Sequence, residues 1–183
     1  MLAYLDERLS LKQVITLFLL VFVVHDAEEI LTVQGWVGRN EALLAELSAR
    51  NPAAARMVGA AATTTGQFSV AVVLIFIVLL LAVWLAHRSL RPGPALLPFA
   101  GGLMLMFLHV FTHAGSSLLL RTYTPGVITA VILALPYSLY AIRRLLRAEL
   151  VTWRFLAAGA GLAVLLIFPI LLTGFWLGRT LLP

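Results

Sequence analysis

The sequence contains no cysteine. This absence excludes disulfide bonds, thiolate metal sites and cysteine nucleophiles, so any metal must be held by histidine and carboxylate side chains. Charged residues are also scarce. They make up 11% of the chain, against about 25% in an average soluble domain, which argues against a solvent-facing surface over the whole molecule.

Hydrophobic residues make up 62% of the 183 residues, where a soluble domain has about 45–50%, and the mean hydropathy is +1.02. One globular core of this size cannot hide so much apolar surface, which excludes a soluble enzyme, a disordered tail and a coiled coil. The net charge of +5 does not indicate a nucleic-acid partner, because most basic residues lie between apolar runs, where they orient helices in a bilayer. The composition predicts a polytopic membrane protein with the lipid bilayer as its partner.

Five apolar segments are long enough to cross a bilayer, which takes about 20 residues. They cover approximately residues 11–36, 66–86, 95–120, 125–145 and 153–177. We therefore predict an all-α fold, a bundle of five transmembrane helices that forms a single integral-membrane domain over residues 1–183.

The connection 37–65 is longer than the others and is predicted to lie across the external membrane face. Within it, Leu43, Leu44 and Leu47 share one face of a short amphipathic helix over residues 41–49. Asn40 is expected to cap the start of this helix. A surface linker is the alternative interpretation of the same segment.

The basic residues predict the orientation of the bundle. Eight of the 13 Lys and Arg residues lie on the side of the N-terminus and five on the other side. Since basic residues favour the cytoplasmic side, we predict a cytoplasmic N-terminus and an external C-terminus in the plasma (inner) membrane.

The first segment contains a run of ionisable residues, which are rare inside membrane spans and indicate function where they occur. At 100° per residue, His25, Glu28 and Glu29 occupy one arc of about 100° on the helix. Asp26 is predicted to point away from this arc, where it could orient a histidine or face another helix. The third segment contains a second group, His109 and His113, with Thr112 and Ser116 on the same stripe.

The two groups are predicted to lie at one depth. At about 1.5 Å per residue, Glu29 and His25 lie roughly 10 and 16 Å below the outer end of the first segment. His113 and His109 lie roughly 12 and 18 Å below Arg121, at the outer end of the third segment. The sequence therefore predicts that two non-adjacent helices bring these side chains together in the outer half of the bilayer.

Histidine and carboxylate pairs spaced three or four residues apart on facing helices are typical of metal sites in bundles. We predict a divalent metal, zinc above iron or manganese, with His25, Glu29, His109 and His113 as ligands. Glu28 and Glu29 are the catalytic candidates, and the roles of ligand and general base are interchangeable between them. A structural polar network is the alternative.

Further residues are predicted to surround the outer mouth of this site. Thr112, Ser116, Arg121 and Tyr123 are the candidate substrate contacts, the last two toward a lipid headgroup. Pro125 and Gly126 are predicted to form a structural turn, in which the glycine allows the backbone to approach closely above the histidines.

The sequence resembles the HXXEE family of small bacterial membrane proteins. The pattern His-x-x-Glu-Glu that names the family is matched by His25, Glu28 and Glu29, and the later histidine by His109 or His113. A Tyr-x-Pro-Gly motif follows at residues 123–126. The resemblance supports the choice of site residues but supplies no reaction, because the family has no settled activity.

These observations favour an integral-membrane, metal-dependent enzyme, a hydrolase, that acts on a lipid or other apolar molecule. A metal-free lipid isomerase with a His–Glu acid–base pair is the first alternative. A transporter for protons or divalent cations is the second, although the polar residues concentrate in one half of the bilayer. A non-enzymatic assembly or sensor protein is the third.

Overall fold

The structure, a computed structural model, describes residues 2–50 and 64–182. In these two ranges it contains seven helices and no strand, so the prediction of an all-α fold is confirmed. The helices are α1 (Leu2–Arg8), α2 (Leu11–Arg39), α3 (Glu41–Arg50), α4 (Thr65–Arg88), α5 (Leu97–Leu120), α6 (Val127–Arg147) and α7 (Trp153–Leu181). A 3₁₀ turn, Pro94–Leu96, leads into α5, and Ala130–Ala134 within α6 is π-helical.

Four helices are long and apolar enough to cross a membrane: α4, α5 with its preceding turn, α6 and α7. Four of the five predicted membrane spans are therefore supported. Helix α2 is 29 residues long, which is more than enough for a span, but Asp26, Glu28 and Glu29 all lie in its second half. These acids set α2 apart from the other long helices.

The observed helix ends follow from capping residues. Ser10 and Thr64 accept hydrogen bonds from the backbone N–H of Gln13 and Gln67, and each glutamine side chain bonds back in a capping box. Thr152 caps α7 in a similar way through the N–H of Phe155. The predicted segments consequently match the observed helices to within a few residues at each end.

The short helix α1, which the sequence did not predict, is tied to the end of α6. The Asp6 carboxylate lies 2.9 Å from Arg144 Nη1 and 3.0 Å from Arg143 Nη2. Arg144 also donates to the backbone oxygens of Asp6 and Leu9. The hydrogen bond from Arg144, followed by that from Arg143, holds the pKa of Asp6 below its ordinary value. The N-terminus and the basic end of α6 therefore share one end of the bundle.

The predicted amphipathic helix after α2 is observed as α3, with Leu44 buried and Leu43 and Leu47 half-buried. Asn40 directly precedes α3, and its backbone oxygen accepts the first hydrogen bond of that helix from the N–H of Leu44 at 2.9 Å. Its side-chain Nδ2 donates to the carbonyl of Trp36 at 2.8 Å, so Asn40 also closes the end of α2. The remainder of the predicted external segment, residues 51–63, lies outside the described residues.

Small residues let α7 approach α4 and α5 closely. A Cβ on Gly101 of α5 would lie 2.7 Å from the carbonyl oxygen of Gly159, and one on Gly174 would lie 2.6 Å from the Cα of Ala71 in α4. Such contacts allow backbones to pack against each other where lipid provides no hydrophobic driving force. Helix α2 packs against α4 and α6 on the other side, and a cavity remains between α2, α4, α5 and α7.

Candidate metal centre and adjoining cavity

Four side chains from α2 and α5 converge inside the bundle: His25, Glu29, His109 and His113. One nitrogen of each histidine and one oxygen of the glutamate all lie within 4.8 Å of one another. His113 Nε2 lies 2.8 Å from His109 Nε2 and 3.0 Å from Glu29 Oε1. The structure thus brings together all four residues that the sequence singled out as ligands.

Helical spacing accounts for this convergence. His25 and Glu29 are one turn apart on α2, and His109 and His113 are one turn apart on α5, so each pair projects from one face. The ring of His25 lies against both other rings, with centroids 4.9 Å from His113 and 5.6 Å from His109. His25 and His113 are buried, whereas the His109 side chain is 45% exposed. The group is therefore closed on one side and open on the side of His109.

A hydroxyl group on α6 determines which nitrogen of His25 carries the proton. Thr129 Oγ1 donates its single proton to Glu28 Oε2 at 2.6 Å, so it must accept from His25 Nδ1, which lies 3.0 Å away. The lone pair of His25 consequently resides on Nε2. That atom is buried and has no hydrogen-bond partner within the described part of the chain.

His109 is held in the same tautomer by a threonine on its own helix. Thr112 Oγ1 donates to the backbone oxygen of His109 at 2.7 Å and therefore accepts from His109 Nδ1 at 3.2 Å. The Nε2 lone pair of His109 then faces the group. Thr112, predicted as a substrate contact, instead orients one of the histidines.

Glu28 binds the first turn of α6 and does not join the group of four. Its carboxylate accepts hydrogen bonds from the backbone N–H groups of Ile128 and Thr129 as well as from the Thr129 hydroxyl. It also accepts from the phenol of Tyr123 at 2.7 Å. Orphan N–H groups at a helix N-terminus favour an anion at this position. Both oxygens of Glu28 are therefore occupied, which leaves Glu29 as the glutamate at the histidines.

The turn between α5 and α6 lies directly over the histidines. Gly126 has φ of +80°, and a Cβ there would lie 2.7 Å from Glu29 Cγ and 2.8 Å from His113 Cε1. Tyr123 is fixed beside it, because its backbone oxygen accepts a hydrogen bond from the indole N–H of Trp36. Burial raises the pKa of the Tyr123 phenol above its ordinary value, so the phenol remains a donor to Glu28 at neutral pH.

A cavity of about 520 Å³ adjoins the group, within the range of volumes typical of small-molecule sites. Its walls are formed mainly by aliphatic and aromatic side chains of α2, α4, α5 and α7. Its polar lining consists of His25, Asp26, Glu29 and His109. The open side of the histidine group thus faces an apolar chamber.

The other predicted contacts do not line this cavity. Thr112, Ser116 and Arg121 are exposed, and Tyr123 is engaged with Glu28 and Thr32. Arg121 has φ of 52° and ends α5 as its C-terminal cap. Pro125 does line the cavity. The cavity therefore gives no support to the predicted substrate contacts Thr112, Ser116, Arg121 and Tyr123.

The prediction that Asp26 points away from the site is wrong. Asp26 is 8% exposed and lines the cavity beside His25, and its Oδ2 has no hydrogen-bond partner among the residues that the structure describes. The reason is that the cavity lies around the side of α2 that carries Phe18 and Phe22, and Asp26 continues that row at i+4 spacing. The spacing of Phe18, Phe22 and Asp26 in the sequence could therefore have predicted that Asp26 faces the cavity.

The donor set of the group fits a divalent metal. Imidazole nitrogens with a carboxylate oxygen suit zinc, iron or manganese. Threonines orient two of the imidazoles through Nδ1, an arrangement typical of metal-binding histidines, whose second nitrogen donates to a fixed partner. The buried Nε2 of His25, which lacks a partner within the described residues, is the atom that a metal would satisfy.

Comparison with known proteins supports the choice of these residues. A family model described as a protein of unknown function with HXXEE motif matches residues 16–141. This range contains the four converging side chains, Thr129 and the turn above them. No curated protein and no solved structure matches the chain. Because the match covers well over half of the 183 residues, the chain belongs to the HXXEE family.

Proposed function

We propose that this protein is an integral-membrane, metal-dependent enzyme that hydrolyses a lipid or other apolar molecule. The observation that carries the proposal is the convergence of three imidazoles and a carboxylate within 4.8 Å at the wall of an apolar cavity. An apolar chamber that meets a small number of convergent polar groups is typical of a substrate site. The family match supports the residues but names no activity.

We infer that α2 forms a fifth span. Its 29 residues reach about 43 Å, more than the roughly 30 Å hydrocarbon core of a bilayer. Two of its three acids are compensated in the bundle, since Glu28 accepts several hydrogen bonds and Glu29 lies 3.0 Å from His113. The third, Asp26, is buried inside the bundle and away from lipid. With a cytoplasmic N-terminus in the plasma membrane, as the basic residues favour, the site lies in the outer half of the bilayer.

The three histidines would hold the metal, and zinc suits them best. A catalytic zinc commonly has three protein ligands and an open position, and when bound it would polarise a carbonyl and activate water. This assignment leaves Glu29 free to accept a proton. Glu28 is excluded from that role because its oxygens already accept hydrogen bonds from α6 and Tyr123.

In this proposal Glu29 transfers the proton, and the other residues of the site orient the imidazoles and exclude water. Glu29 takes a proton from water as the water oxygen bonds to the carbonyl carbon of an ester. Glu29 then returns this proton to the leaving oxygen as the acyl C–O bond breaks, so that an acid and an alcohol are formed. Thr129 and Thr112 keep the imidazoles of His25 and His109 in one tautomer, and the apolar walls exclude bulk water.

Metal analysis of the detergent-purified protein tests the proposal. We expect about one zinc ion per chain in the wild type and a loss of most of it in His25→Ala. His87→Ala is the matched control. His87 lies at the other end of the bundle, with its Nε2 3.1 Å from Thr16 Oγ1, and this variant should retain its metal. A wild type without stoichiometric metal, or a His25→Ala variant that keeps it, would contradict the proposal.

A further inference from the structure

The cavity has one polar feature that metal binding does not explain. Asp26 lines it, is 8% exposed, and has an Oδ2 atom with no hydrogen-bond partner in the described ranges 2–50 and 64–182. A buried polar group without a partner destabilises the folded protein. It lies one residue from His25 and three from Glu29, so this unused acceptor is beside the metal group and about midway along the α2 lining, which runs from Phe18 to Val33.

The shape of the cavity restricts the molecule that would satisfy Asp26. On α4 the lining runs from Phe68 to Leu79, a length of about 16 Å. This is close to half of the roughly 30 Å hydrocarbon core, which is the length of an acyl chain in one leaflet. The rings of Phe18, Phe22 and Phe175 provide apolar contacts along that length.

The charges of the site favour a neutral ligand. No Lys or Arg is found among the lining residues that the structure describes. The acids that line the cavity are Asp26 and Glu29, and a divalent cation at the histidines would offset both charges. A cationic headgroup is therefore not required to balance the site, and a hydroxyl group is the simplest donor to the Asp26 carboxyl.

We propose that the cavity binds a neutral single-chain lipid, with its chain along α4 and a terminal hydroxyl group hydrogen-bonded to Asp26. This inference rests on the proposed function, since it names the substrate class of that site. The hydrolysed molecule would then be a hydroxyl-bearing ester of one long chain, with its carbonyl beside the histidines.

Equilibrium binding of radiolabelled 1-hexadecanol to the detergent-purified full chain tests the inference, with hexadecane and hexadecylamine as comparison probes. We expect the wild type to bind the alcohol about 5- to 10-fold more tightly than the alkane, the value of one hydrogen bond. Asp26→Leu should remove this preference and leave alkane binding at least as strong. The substitution also removes an unpartnered polar group, so it is expected to fold.

Two tryptophan variants locate the probe. Ile75→Trp fills the cavity and should abolish binding of both the alcohol and the alkane. Ile77→Trp is its matched control on α4, because Ile77 is 47% exposed and does not line the cavity. Binding that survives Ile75→Trp, or an alcohol preference that survives Asp26→Leu, would overturn the inference. Tighter binding of hexadecylamine than of hexadecanol would contradict the proposal that the bound lipid has a neutral headgroup.

Metal content measured in the same samples separates this inference from the proposed function. Both Asp26→Leu and Ile75→Trp should retain their metal. A wild type that binds hexadecanol but holds no metal would contradict the proposed function alone. A wild type that holds metal but does not bind hexadecanol would overturn the lipid inference alone.

Discussion

Gly126→Ala is expected to destabilise the protein and to displace the metal site at the same time. The residue has φ of +80°, a conformation that costs a residue with a Cβ about 1–2 kcal/mol. The new methyl group would also lie 2.7 Å from Glu29 Cγ and 2.8 Å from His113 Cε1. Overpacking of this kind costs about 1–3 kcal/mol, so we expect a total loss of roughly 2–5 kcal/mol in the free energy of unfolding.

The measurement is the melting temperature of the detergent-purified protein, which should fall by roughly 5 °C or more, together with its metal content. Gly115→Ala is the control, because a Cβ on Gly115 would meet nothing within 4 Å. Because Gly115 lies in the interior of α5, its replacement by alanine should leave the melting temperature unchanged or raise it. If Gly126→Ala keeps both the wild-type melting temperature and the wild-type metal content, the turn does not lie over Glu29 and His113 as described.

Thr129→Val is expected to weaken metal binding without removing a ligand. The hydroxyl of Thr129 joins His25 Nδ1 to the Glu28 carboxylate. Valine has the same shape but can neither accept from the imidazole nor fix its tautomer. Loss of such an orienting partner typically weakens metal affinity 10- to 100-fold, and we expect an effect in this range, measured by competition with a chromogenic chelator.

A conservative variant separates this positioning role from a general loss of stability. Thr129→Ser restores the hydroxyl and should recover most of the affinity. Thr129→Val also leaves the Nδ1–H group of a buried histidine without a partner, which itself costs about 1–3 kcal/mol, so the melting temperature of the metal-free protein is compared in parallel. An unchanged dissociation constant in Thr129→Val would show that the tautomer of His25 does not matter for binding.

The sequence predicted the metal group well because its cause is local. His25 with Glu29 and His109 with His113 each follow from helical spacing inside an apolar run, and the match in depth follows from the rise per residue. The role of Thr129 did not follow, because it lies 104 positions from His25 in the chain and only the packing of α6 against α2 brings the two together. The hydrogen bonds from the first turn of α6 to the Glu28 carboxylate could not be predicted for the same reason, because they also depend on the packing of α6 against α2.

The error over Asp26 came from treating α2 as an isolated helix. The arc that holds His25, Glu28 and Glu29 was defined by polarity alone. The cavity lies instead along Phe18, Phe22 and Val33, which lie on one side of α2 with Asp26 between them. The apolar residues therefore indicated that Asp26 faces the cavity, which the arc of ionisable residues did not.

The parts of the fold that depend on apolar composition could be predicted from the sequence. The parts that depend on single contacts between distant residues could not. Apolar length predicted four spans closely, whereas the ion pairs between Asp6 of α1 and the arginines of α6 are indicated by no local pattern. The π-helical stretch Ala130–Ala134 precedes Pro136, whose missing N–H cannot continue the regular hydrogen-bond pattern. A proline in the sequence predicts such an irregularity but not its form.

X-ray absorption at the zinc edge of the purified protein tests most directly whether the imidazoles of α2 and α5 share one metal. We predict about three nitrogen ligands at roughly 2.0–2.1 Å with the scattering pattern of imidazole rings. The imidazole contribution should fall in His25→Ala on α2 and also in His113→Ala on α5. A spectrum with only oxygen ligands, or one that responds to variants of a single helix, would contradict a shared metal centre.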